Sequence, residues 1–311
     1  MSYLNAIPGA IIQGIIWGIM AIGVYITYKI LDIADLTVDG SMVTGACVAA
    51  VLIVAGVNVW IAMLAAVVAG MLAGLVTGLF HTLMGIPAIL AGILTQLILW
   101  SVNLKILGRA NLGVSARVYN VSVTQLDKLK SMIVVVAFCA VIIGLLYAFF
   151  GTEFGASLRA TGNNLKMSRA QGINTNFTKV VGLMLSNGLV ALSGAILMQY
   201  QGAADINMGR GAIVIGLAAV IIGEAIFGKI SPNFAVRLAG VIGGGVIYYI
   251  VYQTVIFLGI DTDLLKMLSA VVVAVFLAVP YLKKRYAKPK IKPAPSDDTD
   301  AKEESEAGKD A

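Results

Sequence analysis

Between residues 155 and 174 the chain reads Gly155-Ala156-Ser157-Leu158-Arg159-Ala160-Thr161-Gly162-Asn163-Asn164-Leu165-Lys166-Met167-Ser168-Arg169-Ala170-Gln171-Gly172-Ile173-Asn174. This polar, basic stretch lies between two apolar runs, 131–150 and 179–200. Each run has the roughly 20 residues that a helix needs to cross about 30 Å of hydrocarbon. The stretch is therefore expected to be a loop on one membrane face. Two short helical pieces are expected within it, 154–160 and 164–171, broken by Gly162. Asn163 or Asn164 suits the N-cap of the second piece, and Gly172 suits its C-terminal stop. Leu165, Ser168 and Ala170 give the second piece a small or apolar face, and Lys166 and Arg169 point elsewhere. That shape fits a groove on a cytoplasmic protein. The plainer alternative is a solvated loop tethered to the membrane.

Working outward, the apolar pattern repeats along most of the chain. Nine spans are expected: 7–28, 40–56, 58–80, 86–104, 131–150, 179–200, 210–228, 234–258 and 264–280. The second and last are short. The composition agrees: 59% of the 311 residues are apolar and 12% charged, with a mean hydropathy of +0.93. A soluble surface takes about 25–35% charged residues. A soluble domain, a nucleic-acid binder and a disulfide-rich secreted protein are thereby excluded, and an all-α polytopic membrane protein in a lipid bilayer remains. Residues 1–280 form the transmembrane domain, with the loop 151–178 inside it. Residues 281–311 form a charged tail expected to be disordered and cytoplasmic, basic up to Lys292 and acidic beyond.

Basic flanks set the orientation. Lys283, Lys284, Arg285, Lys288, Lys290 and Lys292 follow the last span, which puts the C-terminus in the cytoplasm. Four spans back, 151–178 falls on the same side, and its Arg159, Lys166 and Arg169 agree. Residues 105–130 fall outside by this count although they carry five Lys/Arg against Asp127. A possible internal repeat supports the count. Ala34-Asp35-Leu36-Thr37-Val38-Asp39-Gly40 and Ala204-Asp205-Ile206-Asn207-Met208-Gly209-Arg210-Gly211 each follow one apolar span and precede another. Units of opposite orientation are expected of an inverted-repeat transporter.

Side chains with chemistry to offer are few. Gly70, Gly74 and Gly78 leave one face of the third span bare, so a neighbouring helix can come close. Gln13, Gln96, Asn187, Gln199 and Gln253 are costly in hydrocarbon and must face a helix or a cavity. Gln96 and Asn187 are the preferred candidates for lining a solute path, with interhelical bonding as the alternative. Glu224 is the one acid deep in an apolar run; a snorkelling, gating or ion-pair role with Lys229 is expected. His81 ends a span and reads as interfacial. Cys47 and Cys139 read as small buried hydrophobes. No metal cluster can be built from two cysteines and one histidine, and no catalytic constellation is present.

The 155–173 loop resembles the coupling segment of inner-membrane permease subunits of ABC importers, of the branched-chain amino acid and ribose type. Gly155, Leu158, Arg159, Ala160, Gly162, Asn164, Ser168, Arg169, Gly172 and Ile173 carry the resemblance. Ser186–Ala195 and Gly216–Gly223 also resemble this family, and Asp35–Ser41 is similar to a subgroup linked to amino acid uptake. The likeness covers about residues 5–280. It implies an ABC importer transmembrane domain in the bacterial plasma membrane. It also implies a second permease subunit forming a homodimer, two cytosolic ABC ATPase subunits under the 155–173 loops, and an extracytoplasmic solute-binding protein or lipoprotein.

The chain lacks the Gly-x-x-x-x-Gly-Lys-Ser/Thr phosphate loop. It is thus expected to be a transport subunit rather than an enzyme and to bind no cofactor, with ATP and Mg on the partner ATPase. The expected function is to form the path for a small solute, an amino acid first. The alternatives are a sugar or nucleoside permease, or a secondary transporter driven by an ion gradient.

Overall fold

A computed structural model describes residues 3–228 and 233–258, with isolated positions 267, 270, 271, 274, 275 and 278 beyond them. Most of the expected ninth span, the 281–311 tail and Lys229 lie outside the described residues. Eight of the nine expected spans are helices. They are α1 (Tyr3–Tyr25), α2 (Val38–Val54), α3 (Val59–Thr82), α4 (Ala88–Leu107), α5 (Lys128–Gly151), α8 (Thr175–Gln201), α9 (Ala212–Phe227) and α10 (Phe234–Phe257). The loop between α5 and α8 supplies α6 (Glu153–Asn163) and α7 (Leu165–Ala170). Six of the apolar helices are long enough to cross a membrane. The other two, α2 and α9, have 17 and 16 residues. At 1.5 Å per residue each covers about 25 Å, short of the hydrocarbon thickness.

Those two short helices, one in each half of the chain, are both entered through an aspartate turn. Ahead of α2, Asp35 Oδ1 accepts a hydrogen bond from the Thr37 N–H at 2.9 Å. Ahead of α9, Asp205 Oδ1 accepts one from the Asn207 N–H at 2.6 Å. Aspartate favours this local turn because its short side chain reaches its own backbone two residues on. The long helix of each half then packs on the other half. α1 lies against α9 and α10, and α8 lies against α2 and α3. α1 and α8 cross in opposite directions, because Ser186 donates to the Gly23 carbonyl while Ser193 donates to that of Ile16, both at 2.7 Å.

The bare face of α3 is filled as its spacing predicts. A Cβ on Gly70, Gly74 or Gly78 would strike α8 at Asn187 and Ala191, Leu183, or Val180. Buried aliphatic side chains of α1, α2 and α8 (Ile12, Ile16, Met20, Met42, Leu183, Ile196) form the centre of the core.

One small non-helical element is added to the all-α bundle. β1 (Asn111–Gly113) pairs antiparallel with β2 (Ala203–Asp205). The segments are three residues each, too short for periodicity to reveal. The ladder fixes the loop 105–130 on the same face as the turn into α9. Gln199 adds to this, its Oε1 accepting from both the N–H and the hydroxyl of Ser122. The segment 151–174 lies at the other end of α5 and α8.

Candidate functional site

The polar segment is two helices, as expected, but the break falls elsewhere. Thr152 caps α6, accepting from the Gly155 N–H, and Asn164 caps α7, accepting from the Met167 N–H. Gly162 lies within α6, and the chain breaks at extended Asn164. Gly162 serves close approach instead: it lies directly on the Ile30 carbonyl and Leu31, where any side chain would overlap backbone. Gly172 does end α7, with φ +81. Its N–H bonds to Arg169 and the Ile173 N–H to Ser168, the double bond pattern of a left-handed helix stop.

Burial splits the ten expected coupling residues into two groups. Leu158 is 0% exposed and Ser168 2%. Gly155 is buried on the end of α5, and a Cβ there would meet Phe149 and Phe150 backbone. Ala160, Gly162 and Ile173 are half-buried. Arg159 is exposed yet tethered. It donates from Nη2 to the Phe150 carbonyl, and its guanidinium carbon lies 5.9 Å from the ring centres of Phe150 and Phe234. Arg169 donates from Nε to Thr175 Oγ1 at 2.9 Å, bracing α7 on the start of α8. These residues hold the segment on the membrane helices. Asn163, Asn164, Lys166, Met167, Ala170 and Gln171 face outward. Met167 is 60% exposed, and Phe177 beside it 57%. The outward strip is therefore mixed apolar and basic, a surface suited to a protein partner.

Beneath α6 the chain leads inward. α1 ends in a π-helical turn, Ile26–Ile30, followed by Asp32 with φ 55, an uncommon left-handed conformation for a residue other than glycine. Leu31 packs against Leu158 and Gly182. Three residues beyond Asp32 comes a buried polar cluster. Asp35 Oδ2 accepts from Asn187 Nδ2 at 2.7 Å, and Ser41 donates to Asn187 Oδ1 at 2.6 Å. The Thr37 and Thr77 hydroxyls are 2.7 Å apart. Asp35, Thr37, Ser41, Thr77 and Asn187 are each at most 2% exposed. A carboxylate in such surroundings is tolerable only with its acceptors satisfied. Asn187, expected as a path residue, is held on Asp35, Ser41 and the Leu183 carbonyl and joins α8 to α2. Its burial has a physical reason: an amide with three good partners inside the bundle has no cause to face a cavity.

Gln96 does face one. It lines a cavity of about 150 Å³ with Asp39, Trp100, Asn103 and Arg210. The starts of α2 and α9 meet here. Asp39, in the first turn of α2, accepts from the Gly211 and Ile213 N–H groups at 3.0 and 2.9 Å. A carboxylate at a helix N-terminus satisfies donors that would otherwise be orphaned and complements the helix dipole.

Glu224 has a partner at the end of the first span. Its Oε2 is 3.1 Å from Lys29 Nζ in the π-helical turn; Lys229 lies outside the described residues. Lys29 also borders a cavity of about 630 Å³ with Tyr28, Asp32, Arg159, Gly162 and Arg237, open beside α6. Sequence spacing offered no sign of this contact between the two halves. His81 links three helix ends, its Nδ1 2.9 Å from the Ile86 carbonyl and its Nε2 3.3 Å from Lys179 Nζ. Among the described residues no group of His, Cys, Asp or Glu is arranged to hold a metal ion.

The comparisons with known proteins agree with this architecture. Residues 7–279 match the family described as "branched-chain amino acid transport system / permease component". The chain is 36% identical over 277 residues to a tyrosine transport system permease protein of Clostridioides difficile, covering 88% of this chain and 91% of the relative. It is 33% identical over 92 residues to a xylose transport system permease protein of Haemophilus influenzae, covering 29% and 24% respectively. Its fold is similar to a chain of PsaBC from Streptococcus pneumoniae, with a TM-score of 0.50, 19% identity, and 93% and 95% of the two chains covered. With its apolar helices, its braced polar segment and a family match running nearly end to end, the chain is an integral membrane protein belonging to the branched-chain amino acid type of ABC transporter permease subunits.

Proposed function

We propose that this chain forms the translocation path of an ATP-driven importer for an amino acid, with an aromatic one favoured by its similarity to the tyrosine permease. Two copies form the path, and two ABC ATPase subunits carry ATP and Mg. A solute-binding protein delivers the solute to the opposite face. In this reading residues 151–174 are cytosolic, and 105–130 and 202–211 are outside.

The observation that carries the reading is the division of the 151–174 segment. Leu158, Ser168, Arg159 and Arg169 are held on the membrane helices, and Asn163, Asn164, Lys166, Met167, Ala170 and Gln171 face outward. α6 rests on the π-helical turn and Leu31, so a push on the strip reaches the segment that leads to Asp35. Interactions that differ between two arrangements of this contact are what would convert nucleotide binding into movement.

The test is to co-express the chain with the ABC ATPase and solute-binding protein encoded beside its gene, then measure solute-stimulated ATP hydrolysis. Arg159→Ala and Gly162→Val should lower stimulated hydrolysis at least tenfold while leaving the ATPase's basal activity in place. Absence of ATPase from the purified complex, or unchanged stimulation in both variants, would contradict the assignment. Uptake that persists under ATP depletion and follows an ion gradient would point to a secondary transporter. Preference for a sugar or a nucleoside would reject the amino acid.

A further inference from the structure

The permease has a second, larger cavity on the far side of Arg210. It encloses about 340 Å³ and is walled by Trp17, Met208, Tyr248, Tyr249 and Tyr252, with Arg210 at its edge. The four rings form one cluster. Trp17 and Tyr249 have centres 5.8 Å apart, Tyr248 and Tyr249 5.6 Å, and Tyr249 and Tyr252 5.8 Å. Tyr252 follows Tyr249 by three residues and Tyr248 by four on α10, the spacing of helix neighbours. A cavity of this size with aromatic walls and a few polar groups has the character of a small-molecule site.

Arg210 borders both this aromatic cavity and the cavity at Asp39 and Gln96. It stands one residue before Gly211, the N-cap of α9, where a positive charge is disfavoured by the helix dipole. No carboxylate forms an ion pair with it among the described residues. On the other side, Asp39 presents a carboxylate, and Asn103 has a buried Oδ1 without a hydrogen-bond partner among the described residues. Among the described residues, a cation lacking a counter-ion and a buried acceptor lacking a donor thus border the same small cavity.

We propose that the two cavities together form a transit site for an aromatic α-amino acid. Arg210 receives the α-carboxylate, Asp39 and the Asn103 carbonyl oxygen receive the α-ammonium, and the side-chain ring enters the aromatic cavity. The amino acid's two opposite charges match the two faces of the smaller cavity, and offset or edge-on ring packing rewards an aromatic side chain over an aliphatic one. The site makes the permease itself selective, in addition to any selection by a solute-binding protein. This inference rests on the amino acid reading above and adds the place of recognition.

The experiment has two arms. In the first, the purified permease chain in lipid nanodiscs is melted with 10 mM L-phenylalanine, L-leucine or phenethylamine, the last lacking a carboxylate. Phenylalanine should raise the melting temperature by about 2 °C or more, and leucine and phenethylamine should not. Arg210→Gln and Tyr252→Leu should each abolish the shift, and Arg210→Lys should retain part of it. In the second arm, cells carrying the whole transporter should take up L-tyrosine or L-phenylalanine, with uptake reduced at least tenfold by Arg210→Gln. Aromatic uptake by the unsubstituted transporter, with no melting shift and no effect of either substitution, would overturn the transit site and leave the importer reading standing. No uptake of any aromatic amino acid would overturn the reading on which it rests. Equal shifts with phenylalanine and leucine would overturn the aromatic assignment. If Arg210→Gln does not fold, Tyr252→Leu and Arg210→Lys decide the matter.

Discussion

The turns into α2 and α9 are built alike and surrounded differently. Each has an aspartate bonded to the backbone two residues on, then a short apolar helix packed on a long helix of the other half. Asp35 is 2% exposed and held by Asn187, in a cluster with Thr37, Ser41 and Thr77. Asp205 is half-buried and bonded to Asn111 at the edge of the β-ladder. Past it, Arg210 stands in the open between two cavities. One junction is sealed and the other is open, although both begin with the same Ala-Asp pair. The two turns thus have different settings: the sealed one follows Leu31 beneath α6, and the open one lies beside the cavities proposed above as a transit site.

The largest expected effect comes from unsealing the first junction. Asp35→Ala leaves one of the two Asn187 Nδ2 hydrogens and the Thr37 N–H without an acceptor, each costing about 1–3 kcal/mol. The matched Asp205→Ala change should cost about 1 kcal/mol or less, because water reaches its partners. Thermal melts of the two purified variants check this; equal losses would break the comparison.

The paired glycines sharpen it. A Cβ on Gly45 in α2 would strike the backbone of Ala191, whereas one on Gly216 in α9 would meet only side-chain atoms of Val24 and Met20. Gly45→Ala should therefore destabilise by about 1–3 kcal/mol, and Gly216→Ala by distinctly less, since flexible side chains can yield. The same melts give the answer, and the reverse order would show that the sealed half has more slack than its packing indicates.

The smallest effect belongs to the ion pair that joins the halves at the coupling face. Lys29 and Glu224 are 49% and 30% exposed, so Lys29→Ala should change stability by about 0.5 kcal/mol or less. The readout is transport: if the pair fastens the inner end, Lys29→Glu should alter the uptake rate, and adding Glu224→Lys should restore it. Unchanged uptake in Lys29→Glu would remove any gating role.

Sequence patterns carried the helices because hydrocarbon demands long apolar runs, and eight of those runs are helices in the structure. The glycine stripe of α3 and the left-handed stop at Gly172 were legible for equally local reasons. The Asp35–Asn187 bond, the Lys29–Glu224 pair and the β1–β2 ladder were not, since each joins residues distant in the chain. Gly162 misled because glycine in a polar stretch reads as a helix break, while its use here is contact with Ile30. The coupling residues were recognised by resemblance, but their split into anchors and an outward strip needed burial to see. Arg210 gave no local signal beyond a charge after a turn; its meaning depends on the cavities either side of it.

The central claim is that the outward strip of 163–171 is the docking surface for a separate motor. It is tested most directly by a single cysteine at Asn164, in a chain whose buried Cys47 and Cys139 are replaced by alanine. An impermeant maleimide should leave this cysteine unlabelled in intact cells. It should label it in inside-out vesicles lacking the ATPase, and at least tenfold more slowly once the ATPase is bound. Labelling from outside intact cells, or an equal rate with and without the ATPase, would contradict the account.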